Sequence, residues 1–285
     1  MDHEKIKELQ RKANDIRKKT LDMCIKAGTG HVTSSFSCAE ILTTLYFGDV
    51  MKYDSGDPKW EERDRFILSK GQASPILYVT LSEAGFFPKN WIDTFCQADG
   101  HFGVHLQGDV PGVEFTTGSL GHGLGLGVGK ALAAKMNEKN YHTFVLLGDA
   151  ELQEGSNWES AMAAKQYSLG NLTAIVDRNG YGVLCPTEKS VGLDSLEKKF
   201  ESFGWDVRSV EEGHSIRAIL NSLEGFRSEA RYKPRVIIAY TTKGKGIKSW
   251  ENVALKHGLA PKGDEIEQTR KELCEYSARR EYENR

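Results

Sequence analysis

Two apolar runs of strand length, residues 143–147 and 172–176, flank a helical stretch at 158–167, which commits the centre of the chain to a βαβ unit. Strands that are apolar along their whole length are buried on both faces, and parallel neighbours need a crossover between them. Further apolar runs at 66–68, 205–210 and 235–240 alternate with helical patterns. The predicted architecture is therefore α/β: a doubly wound, mostly parallel sheet with helices on both faces. A long helix is predicted over 4–27, where Ile6, Leu9, Ala13 and Ile16 share a face and Gly28 supplies the C-cap. Shorter helices are expected over 38–47 with Ser37 as cap, over 75–84 with Pro75 in the first turn, at 91–95, ending at 200–203, and from Ser215 through 226. Residues 266–285, rich in Glu, Lys and Arg, predict a solvated helix. No Pro/Ser-rich linker or repeat interrupts the pattern, so a single domain spanning 1–285 is expected.

Composition narrows the partners. Thirty-nine per cent hydrophobic residues in 285 is ample for a core, and 38 Lys plus Arg against 40 Asp plus Glu leave a net charge of −2. That balance gives no field to hold nucleic acid or anionic lipid. No apolar run approaches the roughly 20 residues needed to span a bilayer, and the opening MDHEKIKELQRKAND lacks the apolar stretch of a leader. Cysteines at 24, 38, 96, 185 and 274 form no C-x-x-C pair, which argues against a disulfide framework or structural zinc and for the cytoplasm.

In an open parallel sheet, ligands bind beyond the carboxyl ends of the strands. Here the first strand of the βαβ unit runs into Gly148, Asp149 and Ala150, the second into Asp177, Arg178 and Asn179, and the run at 235–240 is followed by Lys243-Gly244-Lys245-Gly246. A carboxylate and an amide oxygen on neighbouring strand ends suit a magnesium ion completed by phosphate oxygens and water. The lysines and glycines can face a phosphate. Taken singly, an Asp after a strand more often caps the next helix, and Asn-Gly is a common turn; it is their joint placement that favours a metal and diphosphate site. Glycines at 121, 123, 125, 127 and 129 run into a helical pattern that they disfavour, so something approaches that backbone closely. Neither G-x-G-x-x-G after a strand nor G-x-x-x-x-G-K-[ST] is present, which demotes dinucleotide and P-loop readings.

Five segments, in order, carry a family resemblance: AGTGHVTSSFS, RDRFILSKGQASP, PGVEFTTGSLGHGLGLGVGKALA, GDAELQEGSNWE with IVDRNGYG, and TTKGKG with KHGLAP. Together the chain resembles the N-terminal, diphosphate-binding half of transketolase, as found in split, two-chain bacterial forms. The resemblance implies thiamin diphosphate and Mg2+ (or Ca2+ or Mn2+), with Asp149, Asn179 and the Tyr181 carbonyl as metal ligands. It implies cofactor contacts from Gly118, Ser119 and Leu120 along the aminopyrimidine, and from Gln72, Gly148, Ala150 and Lys243. His31 and His257 would line the substrate channel and touch the cofactor, and Glu154 would meet the other subunit near its activating glutamate. His122, where the family commonly has Gln, is read as packing. The activity implied is transfer of a two-carbon ketol unit from a ketose to an aldehyde acceptor. It would need a separate C-terminal subunit, in an α2β2 heterotetramer.

Three positions depart from the family pattern. Ala150 replaces the signature's second glycine, which is tolerable if φ stays negative. Gln72 stands where the SKGHA-type segment supplies a histidine, and it cannot carry a proton at neutral pH. Asp109 in LQGDVPG takes another histidine's place; an acid there would disfavour a phosphorylated acceptor, and His101 or His105 could fold back to substitute. Rival readings are a subunit of a 2-oxo-acid dehydrogenase or of a deoxyxylulose-phosphate synthase relative, and a non-catalytic module that has kept the fold.

Overall fold

In the computed structural model, which describes residues 3–227 and 232–283, five strands form one parallel sheet in the order β1-β2-β3-β5-β4. They are β1 (Arg65–Leu68), β2 (Thr143–Gly148), β3 (Leu172–Arg178), β4 (Asp206–Val210) and β5 (Arg235–Tyr240). The α/β class read from the sequence holds, and every pairing among the described strands is parallel.

Alternation along each strand builds two cores. Phe66, Leu68, Phe144, Leu146, Ile175 and Ile237 face one side with residues of α1 (His3–Ala27), α3 (Ala39–Phe47) and α4 (Ser74–Glu83). The intervening Ile67, Val145, Leu147, Val176 and Ile238 face the other with α5 (Gly123–Met136), α6 (Gly155–Gln166) and α8 (Leu196–Ser202). Between α1 and α3 a short helix, α2 (Val32–Phe36), and after β3 a single turn, α7 (Thr187–Ser190), were not read from the sequence. After β4 comes α9 (Ile216–Ser222), capped by Ser215 as expected but ending four residues short of 226. The chain closes with α10 (Glu265–Glu283).

Two expectations are corrected. Ser37 does not cap α3: Cys38 holds that position, and the Ser37 hydroxyl donates to Asp177 instead, 2.6 Å away. The last helix is not merely solvated: Thr269, Leu273, Tyr276 and Ser277 recur at helical spacing and are buried, with Leu273 and Tyr276 in the first core. Its sparse apolar stripe is outnumbered by charge in the sequence, and residues 284–285 of that reading lie outside the described residues.

The glycine run proves largely architectural. A Cβ at Gly127 would come within 2.3 Å of Val145 Cγ2, and one at Gly123 within 2.2 Å of the Ser69 hydroxyl. The glycines let α5 press onto strand β2 and the end of β1. Gly123 and Gly127 meet the end of β1 and strand β2, whereas Gly121 and Gly125 face the start and body of α6.

Adjacent strands β3 and β5 send the chain to opposite faces: β3 toward α8 in one core, β5 toward α10 in the other. The crevice beyond their carboxyl ends is the switch point at which such sheets bind ligands. Among the described residues no helix is long and apolar enough to cross a membrane, and all five cysteines are free.

Candidate active site

A cleft opens at these strand ends, lined by residues from seven chain segments. Gly148 is paired with Asp177 in the ladder, so Asp149 and the Asn179 turn emerge side by side. Asp149 is buried. Its Oδ2 accepts from the Gly180 amide at 2.6 Å and from Arg178 at 3.3 Å, and its Oδ1 accepts from the Ala150 amide at 2.8 Å. Burial, reinforced by the charge of Asp177, pushes Asp149 up to about 6. Asn179 Oδ1 accepts from the Tyr181 amide at 3.2 Å, and its Nδ2 donates to Asp177 at 3.2 Å. Ala150 begins a 3-10 turn over Ala150–Gln153 and is not among the residues with positive φ.

A hard-oxygen cation site fits this corner. The set comprises one buried carboxylate that shares Arg178 with Glu188, an amide oxygen and main-chain carbonyls, which are magnesium-type donors. No group of three His, Cys, Asp or Glu that could hold a metal gathers among the described residues, so the fit rests on Asp149 with neutral oxygens. Lys243, buried in the cleft, can meet a phosphate; burial and then the neighbouring Lys70 bring its ammonium down to about 8.

Asp177 is held differently. Lys70 forms an ion pair with it, and Ser37, Thr241 and Asn179 donate to it, which keeps it ionised below the usual range despite complete burial. Lys70 also donates to the Ser34 carbonyl at 2.9 Å. Ser69 and Lys70 follow β1 directly, so the strand-end rule applied to β2, β3 and β5 would have found them. The four-residue length of β1 hid the signal.

The histidines meet at the mouth. The rings of His31 and His257 have centroids 5.1 Å apart, and His105 packs 5.4 Å from His31. Lys243 Nζ lies 3.0 Å from His257 Nδ1. Burial, joined by Lys243 and His31, lowers His257 to about 3; burial, joined by His105 and Lys243, lowers His31 to about 4. Both rings are neutral at pH 7. With Lys243 donating to Nδ1, the neutral His257 carries its proton on Nε2.

The remaining sequence-predicted residues divide. Gln72 and Leu120 line the cleft, and Gln72 donates to the Gly118 carbonyl at 3.0 Å. The His105 ring lies against Gly118, Ser119 is exposed on the outer side of this stretch, and Tyr181 faces the cleft. Glu154 is outside the cleft, exposed at the start of α6 against Gly121. His122 is exposed rather than packed, its Nδ1 3.1 Å from the Leu120 carbonyl. Asp109 is exposed and does not line this cleft. Of the two substitutes considered, His105 turns toward His31, whereas the exposed His101 stacks on Trp91 with centroids 3.7 Å apart.

Residues 8–282 match the family described as transketolase, thiamine diphosphate binding domain. The chain belongs to the transketolase family. It is 42% identical over 283 residues to an apulose-4-phosphate transketolase subunit of Phocaeicola vulgatus, covering 97% of each chain. It is 39% identical to a 6-deoxy-6-sulfo-D-fructose transketolase subunit of a Clostridium species, covering 88% of this chain and 91% of that one. Human transketolase is 40% identical over 265 residues, which are 90% of this chain and 40% of the human one. The fold matches transketolase of Campylobacter jejuni with a TM-score of 0.87 at 31% identity, covering 95% of this chain and 42% of that one. The chain thus spans about two fifths of single-chain transketolases and nearly the whole of the subunits, and the transferase family and thiamine diphosphate-binding domain read from the sequence stand.

Proposed function

We propose that this chain is the cofactor-holding subunit of a two-chain transketolase that moves a two-carbon ketol unit from a ketose to an aldehyde, working as one domain in the cytoplasm. The observation that carries the reading is the convergence on one cleft of Asp149, Asn179, Lys243 and His257 from separate strand ends and loops, with His31 packed against His257. Asp149, Asn179 and the Tyr181 carbonyl hold Mg2+, while Lys243 and the Gly148–Ala150 turn face the diphosphate. The main chain of Gly118, Ser119 and Leu120 would lie along the aminopyrimidine, with Gln72 fixing the Gly118 carbonyl. When bound, thiamin diphosphate supplies the carbon nucleophile and electron sink that a ketose carbon–carbon cleavage needs.

The protein's own part is positioning and proton placement. His257, with its proton on Nε2, donates a hydrogen bond to a substrate oxygen. His31, neutral and half-buried beside it, orients hydroxyl groups without placing a cation in the channel. Glu154, exposed next to the 118–121 stretch, faces the partner subunit, which completes the pocket in an α2β2 assembly. The near-complete coverage of relatives named as subunits supports that division. The test is to purify the tagged chain from its native host, identify the co-purifying protein, and assay ketol transfer with added cofactor and Mg2+. A stoichiometric partner and activity only in the complex are expected; ketol transfer by this chain alone would overturn the division.

A further inference from the structure

Three segments far apart in sequence converge on one buried carboxylate that lies outside the proposed metal and substrate groups. Glu151 Oε1 accepts from the Ser69 hydroxyl at the end of β1 and from the Gly121 amide at 2.9 Å, and Oε2 accepts from the Gly148 amide at 3.1 Å at the end of β2. The same Ser69 hydroxyl accepts from the Gly123 amide at 3.0 Å, the first residue of α5. The bare Cα of Gly123 is what admits it, since a Cβ there would lie 2.2 Å from that oxygen. The Gly121 peptide is also held from its other side, where Ser156 on α6 donates to the Gly121 carbonyl at 2.8 Å. The Glu151 main chain is fixed in turn, because Asn157 donates to its carbonyl at 2.7 Å.

We propose that Glu151 is a positioning residue that sets the spacing between the two ends of the cofactor cleft: the Gly148–Ala150 corner and the 118–121 stretch. The inference rests on the reading of this cleft as a thiamin diphosphate site. The carboxylate is 1% exposed and accepts hydrogen bonds from both banks of the cleft, so displacing either bank strands a buried donor. Ser156 extends the same clamp to the start of α6, beside Glu154, the face proposed to meet the partner.

The experiment uses the assembled two-chain enzyme and follows thiamin diphosphate binding by calorimetry in the presence of Mg2+. Glu151→Gln keeps the shape but offers one acceptor oxygen where two are used, and turns an NH2 toward a donor. Its dissociation constant for the cofactor should rise about ten- to a hundredfold, while kcat at saturating cofactor falls less than about threefold. Ser156→Ala, a half-buried change expected to fold normally, should weaken cofactor binding about two- to fivefold, with the unfolding midpoint of the chain unmoved. Unchanged cofactor affinity in Glu151→Gln, or in Ser156→Ala if the first variant fails to fold, overturns the inference alone. A wild-type complex that binds no cofactor overturns the reading and the inference together.

Discussion

Glu40 on α3 and Asp149 beyond β2 are both buried carboxylates, yet the chain treats them in opposite ways. Glu40 receives two bonds from the buried guanidinium of Arg17, at 2.6 and 2.5 Å, one from Gln10 at 3.2 Å, and lies 3.0 Å from His214 Nδ1. Burial pushes its pKa up, but Arg17 and His214 outweigh burial and hold it well below the usual carboxylate range. Asp149 has only two amides and one shared, more distant arginine, and burial wins. A carboxylate completed by the chain itself fastens the fold, here joining α1, α3 and the loop before α9. One left short of positive charge is, on the function proposed above, where a cation would sit.

The sharpest way to break the contrast is to remove the arginine. Arg17→Met leaves Glu40 charged, buried and underpaired, and should lower the unfolding free energy by about 3–5 kcal/mol in urea titration. A loss under about 1 kcal/mol would mean that the pair is not the fastening it is taken to be.

A smaller effect, opposite in sign at the two sites, lies in the pH dependence of the metal-free chain. Glu40 has a folded pKa below its unfolded one, so its contribution is present above about pH 4 and is lost as the solution is acidified. Asp149 has a folded pKa raised to about 6, so its contribution is present below about pH 4 and is lost as pH rises to 6. With chelator present, Asp149→Asn should remove a stability decline on the order of 2–3 kcal/mol between pH 4 and 6. Glu40→Gln should instead flatten the acid limb below pH 4. Identical pH profiles for the two variants would erase the distinction.

Much of the sheet and the Asp149 side of this comparison was legible in sequence, and the Glu40 side was not. Apolar runs at 143–147 and 172–176 are short, continuous and set on either side of a helical pattern, as buried parallel strands require, and the strand-end rule then pointed to Asp149, Asn179 and Lys243. Arg17 gave no such signal. It reads as one of many charges on a polar helix, and only the packing of α1 on α3, twenty-three positions away, turns it inward. Glu151 was hidden for a related reason: within GDAELQEG it looks like a first-turn helix acid, and its partners lie 82 and 30 positions away. The buried stripe of α10 was missed because four inward residues are diluted by charge, and the exposed placement of Asp109 because a loop without periodicity carries no information about direction.

The measurement that bears most directly on the central claim is calorimetric titration of thiamin diphosphate, with and without Mg2+, into the assembled complex carrying wild-type chain or Asp149→Asn. The account predicts saturable, magnesium-dependent binding to the wild type and a loss of at least about a hundredfold in the variant. Equal binding by the two, or binding to the wild type that is indifferent to the metal, would contradict it.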